Sequence, residues 1–197
     1  CQCASGAGFR SIMGVPGVPQ PGVSAAETWD TAVVSLRQMV ATARDAGVSF
    51  HVEPHAGSIA GTPGDAARLA QDVPGLRYTL DYAHFVGQRI DPTTVAPLHA
   101  YAGHLHAKPA RPGRPKCFAH RNTIDFAAIF RDLRRRDWEG VVALECIGAW
   151  DSDLGRPVFR EIPSDATVPA ADPVDPFRAH PAAQTVRLAY ELAAYLE

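Results

Sequence analysis

The chain of 197 residues lacks the features that mark membrane, secreted or nucleic-acid-binding proteins. No apolar run approaches the roughly 20 residues that a membrane-spanning helix needs. The first residues have neither a charged start nor an apolar stretch, so they do not resemble a signal peptide. The formal net charge of −2 provides no basic field that would attract nucleic acid. These absences favour a cytoplasmic globular protein that binds neither membranes nor nucleic acid.

Cysteine is also scarce, with four residues in the chain. Cys1 and Cys3 would hint at a metal-binding knuckle, but no second pair of cysteines completes one. Cys117 and Cys146 lie far apart in the sequence, and we interpret them as free thiols. The sequence therefore predicts neither a disulfide framework nor a thiolate metal site.

Strand-like runs alternate with segments of helical periodicity along most of the chain, which predicts a parallel sheet. Ser24, Thr62 and either Asn122 or Thr123 are predicted to cap the helices that follow them. The predicted strands are residues 9–14, 48–53, 76–81, 101–108 and 141–147.

The fold class predicted from this alternation is α/β, of the (β/α)8 TIM-barrel type. A closed barrel has eight strands, and five are counted here, so we expect the last five β/α units of a barrel that lacks its first three. Residues 1–197 are expected to form a single domain. Within it, the Pro- and Asp-rich stretch 151–181 is expected to be an extended segment, followed by a helix at 182–196.

Four potential metal ligands stand at the ends of four successive predicted strands: Glu53, Asp81, His106 and Glu145. Side chains alternate between the two faces of a strand. In each predicted strand, the proposed ligand falls on the face with the more polar side chains, which would point into the barrel. The C-terminal ends of parallel barrel strands converge on one site. Buried acids need a partner there, and a divalent cation supplies one. The sequence therefore predicts a shared metal site.

Three further histidines accompany these ligands. His51 and His104 each lie two residues before a proposed ligand, Glu53 and His106, and so point to the same side of the strand but farther from its C-terminal end. We therefore interpret them as packed, hydrogen-bonded histidines rather than ligands. His55 follows Glu53 in a loop, where it would either line a pocket or lie on the surface.

Four motifs carry a family likeness: Val-Glu-Pro-His-Ala-Gly-Ser at 52–58, Leu-Asp-Tyr-Ala-His at 80–84, Gly-His-Leu-His at 103–106 and Leu-Glu at 144–145. Together they resemble the xylose isomerase-like TIM barrels. The resemblance implies one divalent ion, Mn²⁺ or Mg²⁺ with Co²⁺ or Zn²⁺ as alternatives. Its ligands would be Glu53, Asp81, His106 and Glu145.

The resemblance also implies an activity. A sugar or sugar phosphate would be isomerised or epimerised by proton transfer through an enediolate that the metal stabilises. Glu53 and Glu145 are implied as the acid and the base on opposite sides of the substrate.

Substrate contacts are less well defined by the motifs. His84 is implied as a substrate ligand, with a contact to a metal ligand as its alternative role. The family's substrate-binding Arg has no counterpart at the same spacing here, which leaves Lys108, Arg111, Arg114 and Lys116 as candidates. Their loop would bind an anionic group such as a phosphate, or would simply be solvated. Lys108 would bind a substrate oxygen or phosphate, or would only pair with a ligand carboxylate. Trp150 would form a wall of the sugar site or pack under the Pro-rich segment.

Other functions stay open at this point. One is a metal-dependent lyase or dehydratase on the same barrel. Another is a phosphodiesterase resembling endonuclease IV, although the loop containing residues 117–120 lacks the Asp-x-His pair of that enzyme. A third is an inactive remnant, since strands 9–14 and 141–147 would have open edges, which a homodimer would cover.

Overall fold

A computed structural model of the protein describes residues 1–145, 149–151, 156–158, 181–193 and 195. These residues divide into two compact units. The first unit consists of Cys1–Asp81, Pro97–Leu105 and Glu139–Val141, and the second of Tyr82–Ala96, His106–Trp138 and the described residues of Val142–Glu197.

Strands and helices alternate along the chain. The strands are β1 (Ser11–Gly14), β2 (Ser49–Val52), β3 (Arg77–Asp81), β4 (Ala102–Ala107), β5 (Val141–Leu144), β6 (Ala149–Asp151) and β7 (Arg156–Val158). The α-helices are α1 (Gln2–Gly6), α2 (Ala25–Asp45), α3 (Pro63–Asp72), α4 (Tyr82–Gly87), α5 (Phe126–Arg135) and α6 (Pro181–Ala193), and two 3-10 helices span Pro92–Tyr101 and Ala119–Arg121.

One sheet contains β1 to β5, each strand beside its neighbours in chain order. β1 is parallel to β2 with Ser11 opposite Ser49, and β2 is parallel to β3 with His51 opposite Arg77. Parallel strands in chain order with helices between them are the arrangement of consecutive TIM-barrel units. The predicted fold class and the five predicted strands are confirmed.

The amphipathic helix α2 contributes part of the core of the first unit. Ser24 caps this helix, because its hydroxyl accepts a hydrogen bond from the backbone N–H of Glu27 at 3.1 Å. Trp29 is buried on the inner face of α2, and its indole Nε1 donates to Oδ2 of Asp72 in α3 at 2.9 Å. Thr62 caps α3 in the same way as Ser24 caps α2, so both cap predictions are confirmed.

The second unit contains a helix and a cap that the sequence did not indicate. Helix α4 begins at Tyr82, directly after the last residue of β3. Helix α5 is capped by Asp125, whose carboxylate accepts from the backbone N–H of Ala128 at 2.9 Å. The prediction of Asn122 or Thr123 as this cap was wrong. The Asn122 side chain instead accepts from two backbone N–H groups in its own loop.

The Pro- and Asp-rich stretch lies largely outside the described residues. Where it begins, β6 and β7 pair as a short antiparallel ribbon. Residues 152–155 and 159–180 lie outside the description, so the extended segment and the single domain stay predictions. The helix expected at 182–196 is α6. None of the helices in the described part of the chain is long and apolar enough to cross a membrane.

Candidate metal centre

The strand ends bring the four predicted ligands together. Glu53 directly follows β2, Asp81 is the last residue of β3, His106 lies near the end of β4, and Glu145 directly follows β5. Each residue offers a ligand atom, and these four atoms lie within 4.8 Å of one another. The clustering expected from strand parity and parallel order is therefore present in the structure.

The donor set fits a divalent cation. Three carboxylates and one imidazole supply hard oxygen ligands and a nitrogen ligand, a combination suited to Mn²⁺ or Mg²⁺ and compatible with Zn²⁺ or Co²⁺. Asp81 has no exposed surface, and Glu53, His106 and Glu145 are half-buried. Because burying carboxylates is costly unless positive charge compensates them, this cluster suits a bound cation better than a metal-free state.

Backbone hydrogen bonds hold two of the carboxylates at the sheet. The N–H of Glu53 donates to the carbonyl oxygen of Gly14 in β1 at 3.0 Å. The N–H of Glu145 donates to the carbonyl oxygen of Ala107 in β4 at 3.1 Å. Both ligands therefore extend the parallel ladder by one residue, which limits the directions their side chains can take.

Glu145 sits in a positive environment within the second unit. Its Oε2 lies 3.2 Å from Nδ1 of His106 and 3.2 Å from Nζ of Lys108. Burial alone would raise the pKa of Glu145. The hydrogen bond to His106 and the charge and hydrogen bond of Lys108 outweigh burial and lower that pKa to about 2. Glu145 is therefore ionised at neutral pH, as a metal ligand or a proton acceptor must be.

A layer of polar groups lies below the ligands in the first unit. His51 is buried, and its Nε2 lies 3.0 Å from Oγ of Ser49. Burial, the neighbouring His104 and the charge of Arg77 lower the pKa of His51 to about 4, so the ring is neutral at pH 7. The interpretation of His51 as a packed, hydrogen-bonded histidine is confirmed.

Gly103 is a residue of this layer that sequence reasoning missed. A Cβ atom built on Gly103 would lie 2.5 Å from Nε2 of His51, so the ring occupies the space that a side chain would fill. The Gly-His-Leu-His motif contains this glycine, but nothing in its local sequence points to a contact with a histidine 52 residues earlier.

Two predicted substrate ligands are histidines near strand ends. His84 is half-buried in α4, three residues after Asp81. His55 is half-buried in the loop after Glu53, and its Nδ1 lies 2.9 Å from the carbonyl oxygen of Ala56. Their roles toward a substrate stay predictions. Trp150 belongs to β6, and its side chain lies outside the described residues.

The basic side chains of the loop after β4 are largely buried rather than exposed to solvent. Lys108, Arg114 and Lys116 each expose 7% or less of their surface, and Arg111 is half-buried. Arg111 and Arg114 exchange two backbone hydrogen bonds, of 3.1 and 2.8 Å, across a tight turn. For the three buried cations, the solvated alternative was wrong. Whether they contact a substrate stays a prediction.

Two close contacts in the second unit support this loop. Gly113 has a φ of 75°, and a Cβ on it would meet the Arg89 guanidinium at 2.8 Å. A Cβ on Gly87, in α4, would lie 2.6 Å from the Cβ of Pro115. The loop therefore packs closely on α4 and the residues that follow it.

A family model described as xylose isomerase-like TIM barrel matches residues 1–164. The chain belongs to this family. The family resemblance given by the four motifs is thus confirmed. No curated protein matches the chain.

Solved structures with the same fold include a D-tagatose 3-epimerase-like protein, at 16% identity and a TM-score of 0.66 over 98% of this chain and 64% of that one. The D-allulose 3-epimerase of Methylomonas sp. in complex with D-allulose matches at 18% identity and a TM-score of 0.58, over 76% of this chain and 54% of that one. The probable 3-DHS dehydratase AsbF of Bacillus anthracis matches at 18% identity and a TM-score of 0.59, over 72% of this chain and 59% of that one.

These likenesses establish the shared barrel fold. At identities of 16 to 18% they do not transfer an activity. The chain covers 54 to 64% of the length of the three structures, so the activity of a whole barrel is a proposal for this chain.

Proposed function

We propose that the protein is a divalent-metal-dependent sugar or sugar phosphate isomerase or epimerase. The observation that carries the proposal is the cluster of three carboxylates and one imidazole whose ligand atoms lie within 4.8 Å of one another at the strand ends. Two of the similar structures are a 3-epimerase and a 3-epimerase-like protein, one of them in complex with a sugar. Their names support the sugar class without fixing the sugar.

The proposed metal ligands are Glu53, Asp81, His106 and Glu145. A bound divalent ion would polarise the carbonyl and hydroxyl oxygens of a sugar and so acidify the carbon next to the carbonyl. The low pKa of Glu145 keeps this ligand charged at neutral pH without help from the ion.

Glu53 and Glu145 are the proposed acid and base. One carboxylate takes the proton from the carbon beside the carbonyl, and the electron pair of that C–H bond moves towards the carbonyl group. The other carboxyl group returns a proton. Return to the same carbon from the opposite face gives an epimer. Return to the former carbonyl carbon gives an isomer, provided that the proton of the neighbouring hydroxyl group passes to the former carbonyl oxygen. Positioned acid–base groups of this kind contribute typically about 10²–10⁴-fold in rate.

The substrate contacts in this proposal come from two places. His84 and His55 would contact sugar hydroxyl groups, and Trp150 would pack against the sugar ring. The buried cations Lys108 and Arg114, with Arg111 beside them, would bind sugar oxygens or a phosphate, because both side chain types donate charged hydrogen bonds. A homodimer and a cytoplasmic location are further predictions of this proposal.

Metal content and proton exchange test the proposal together. The purified chain is stripped with a chelator, reloaded and assayed by elemental analysis, and then incubated with ketoses in D₂O. We expect about one Mn, Mg or Co per chain and deuterium at the carbon beside the carbonyl. Glu145→Gln should lose both, while Glu139→Gln, the same change at an exposed carboxylate before β5, should lose neither.

Other results would contradict the proposal in distinct ways. If Glu145→Gln still incorporates deuterium at the carbon beside the carbonyl, Glu145 has no role in the proton transfer. Two or three zinc ions per chain would favour the phosphodiesterase. A chain that binds no metal would favour the inactive remnant.

A dehydratase is the second candidate, because the structure of a probable 3-DHS dehydratase has the same fold. Its chemistry would begin with the same proton abstraction, but a hydroxyl group would then leave as water. Mass spectrometry of the product distinguishes the two functions, since dehydration lowers the mass by one water and epimerisation leaves it unchanged.

A further inference from the structure

One side chain reaches across the sheet below the metal centre. His51 lies on β2 and Gly103 on β4, and β3 lies between these two strands. The ring of His51 nevertheless occupies the space over Gly103, where a Cβ would lie 2.5 Å from Nε2 and 2.6 Å from Cε1. A single ring from β2 therefore spans β3 and rests on the backbone of β4.

The glycine at position 103 is explained by space rather than by backbone conformation. Its φ lies outside the left-handed range that favours glycine, so other residues could adopt the same backbone. A contact of 2.5 Å is shorter than Cβ atoms tolerate, so any larger residue would displace the ring. The ring is buried and hydrogen-bonded to Ser49, which gives it little room to turn away.

We propose that His51 is a positioning residue for the metal centre: it rests on Gly103 and holds β2 and β4 at the spacing that their ligands require. This inference rests on the proposed function. Glu53 directly follows β2, two residues after His51 in the alternating pattern, so the two side chains point to the same side. His106 lies three residues after Gly103 along β4, so a shift of this strand at Gly103 would move His106 as well. A ligand set must be held within about 0.5 Å of its productive geometry, so a shift of either strand would weaken metal binding.

Gly103→Ala is the most direct test, with Mn²⁺ affinity of the full chain measured by isothermal titration calorimetry. Loss of a group that orients metal ligands typically costs about 10–100-fold in affinity, and we expect a loss of that size. Ser49→Ala leaves room for the ring but removes its hydrogen bond, so it should weaken binding by a smaller factor. Far-UV circular dichroism and the melting temperature of the metal-free protein accompany each titration.

A matched control and a double variant separate positioning from general destabilisation. Phe50→Leu alters packing at the buried neighbour of His51 on β2, and should lower the melting temperature without changing Mn²⁺ affinity. His51→Ala in combination with Gly103→Ala removes the clash. The double variant should recover the melting temperature relative to Gly103→Ala alone, yet bind Mn²⁺ as weakly as His51→Ala.

The outcomes also distinguish this inference from the proposed function. If Glu145→Gln abolishes Mn²⁺ binding while folded Gly103→Ala and His51→Ala bind it like the wild type, only the positioning role is overturned. If Phe50→Leu weakens binding as much as His51→Ala, the effect is one of general stability and the positioning role is overturned as well. If the wild type binds none of Mn²⁺, Mg²⁺ and Co²⁺, both are overturned.

Discussion

Acidification of the metal-free protein tests the burial of His51. The pKa of this residue is lowered from 6.5 to about 4, chiefly by burial and further by His104 and Arg77. The folded protein therefore disfavours protonation of His51, whereas the unfolded chain takes up a proton at this residue near pH 6.5. The stability that this residue contributes is complete above pH 6.5 and is lost as the pH falls from 6.5 to 4.

The size of the effect follows from the shift. One pKa unit corresponds to 1.36 kcal/mol, so a shift of this size corresponds to a loss of about 3 kcal/mol in the free energy of unfolding. That is a large part of the 5–15 kcal/mol that stabilises a typical domain. The loss should be greatest between pH 6 and pH 4.5, where the unfolded chain is protonated at this residue and the folded protein is not.

The assay is urea denaturation in the presence of a chelator, at pH 7.5, 6.0, 5.0 and 4.5, for the wild type and His51→Gln. Glutamine does not titrate, so the difference between the two pH profiles isolates His51 from the other histidines. We expect the wild type to lose roughly 2.5 kcal/mol more than the variant over this range, since the last part of the loss falls below pH 4.5. Parallel profiles, or a ring that titrates near pH 6.5 by NMR, would refute the reasoning.

Two further predictions concern Glu145 and the start of α2. Lys108→Met removes the cation 3.2 Å from Oε2 of Glu145, so the pKa of that carboxyl should rise from about 2 towards its usual range, as followed by ¹³C NMR of the metal-free protein. An unchanged pKa would mean that the His106 contact accounts for the shift. Ser24→Ala removes the acceptor for the N–H of Glu27 and should lower the free energy of unfolding by about 1 kcal/mol. Ser35→Ala, whose hydroxyl donates to a carbonyl oxygen within the helix, is the matched control and should change stability less.

Features set by neighbours in sequence were predicted correctly. The caps at Ser24 and Thr62 depend on a few consecutive residues, and both are present. The cap of α5 was assigned wrongly because Asn122, a good cap residue, accepts hydrogen bonds from Ala110 and Ile124 within the loop. The choice between Asn122 and Asp125 depends on a segment 12 residues earlier in the chain, which local patterns do not report.

The clustering of the four proposed ligands was predictable for a different reason. Strand alternation fixes which face each ligand takes, and parallel order brings the strand ends to one edge, so two simple rules place four distant residues together. No comparable sequence rule predicts the contacts of the residues that lie below the cluster. The contact of His51 with Gly103 crosses a strand, and the loop after β4 packs on the region of α4 through residues that are distant in sequence.

If the proposed cluster binds a cation, the formal charges of its side chains match a divalent ion best. Glu53, Asp81 and Glu145 carry three negative charges when ionised, and Lys108, in contact with Glu145, carries one positive charge. A neutral His106 adds no charge, since a metal ligand must be deprotonated. With no proton on Glu53 or Glu145, these five groups sum to two negative charges, which a divalent cation would neutralise. A monovalent ion would leave a buried carboxylate charge uncompensated, and a trivalent ion would leave a positive one, and either is costly at a buried site.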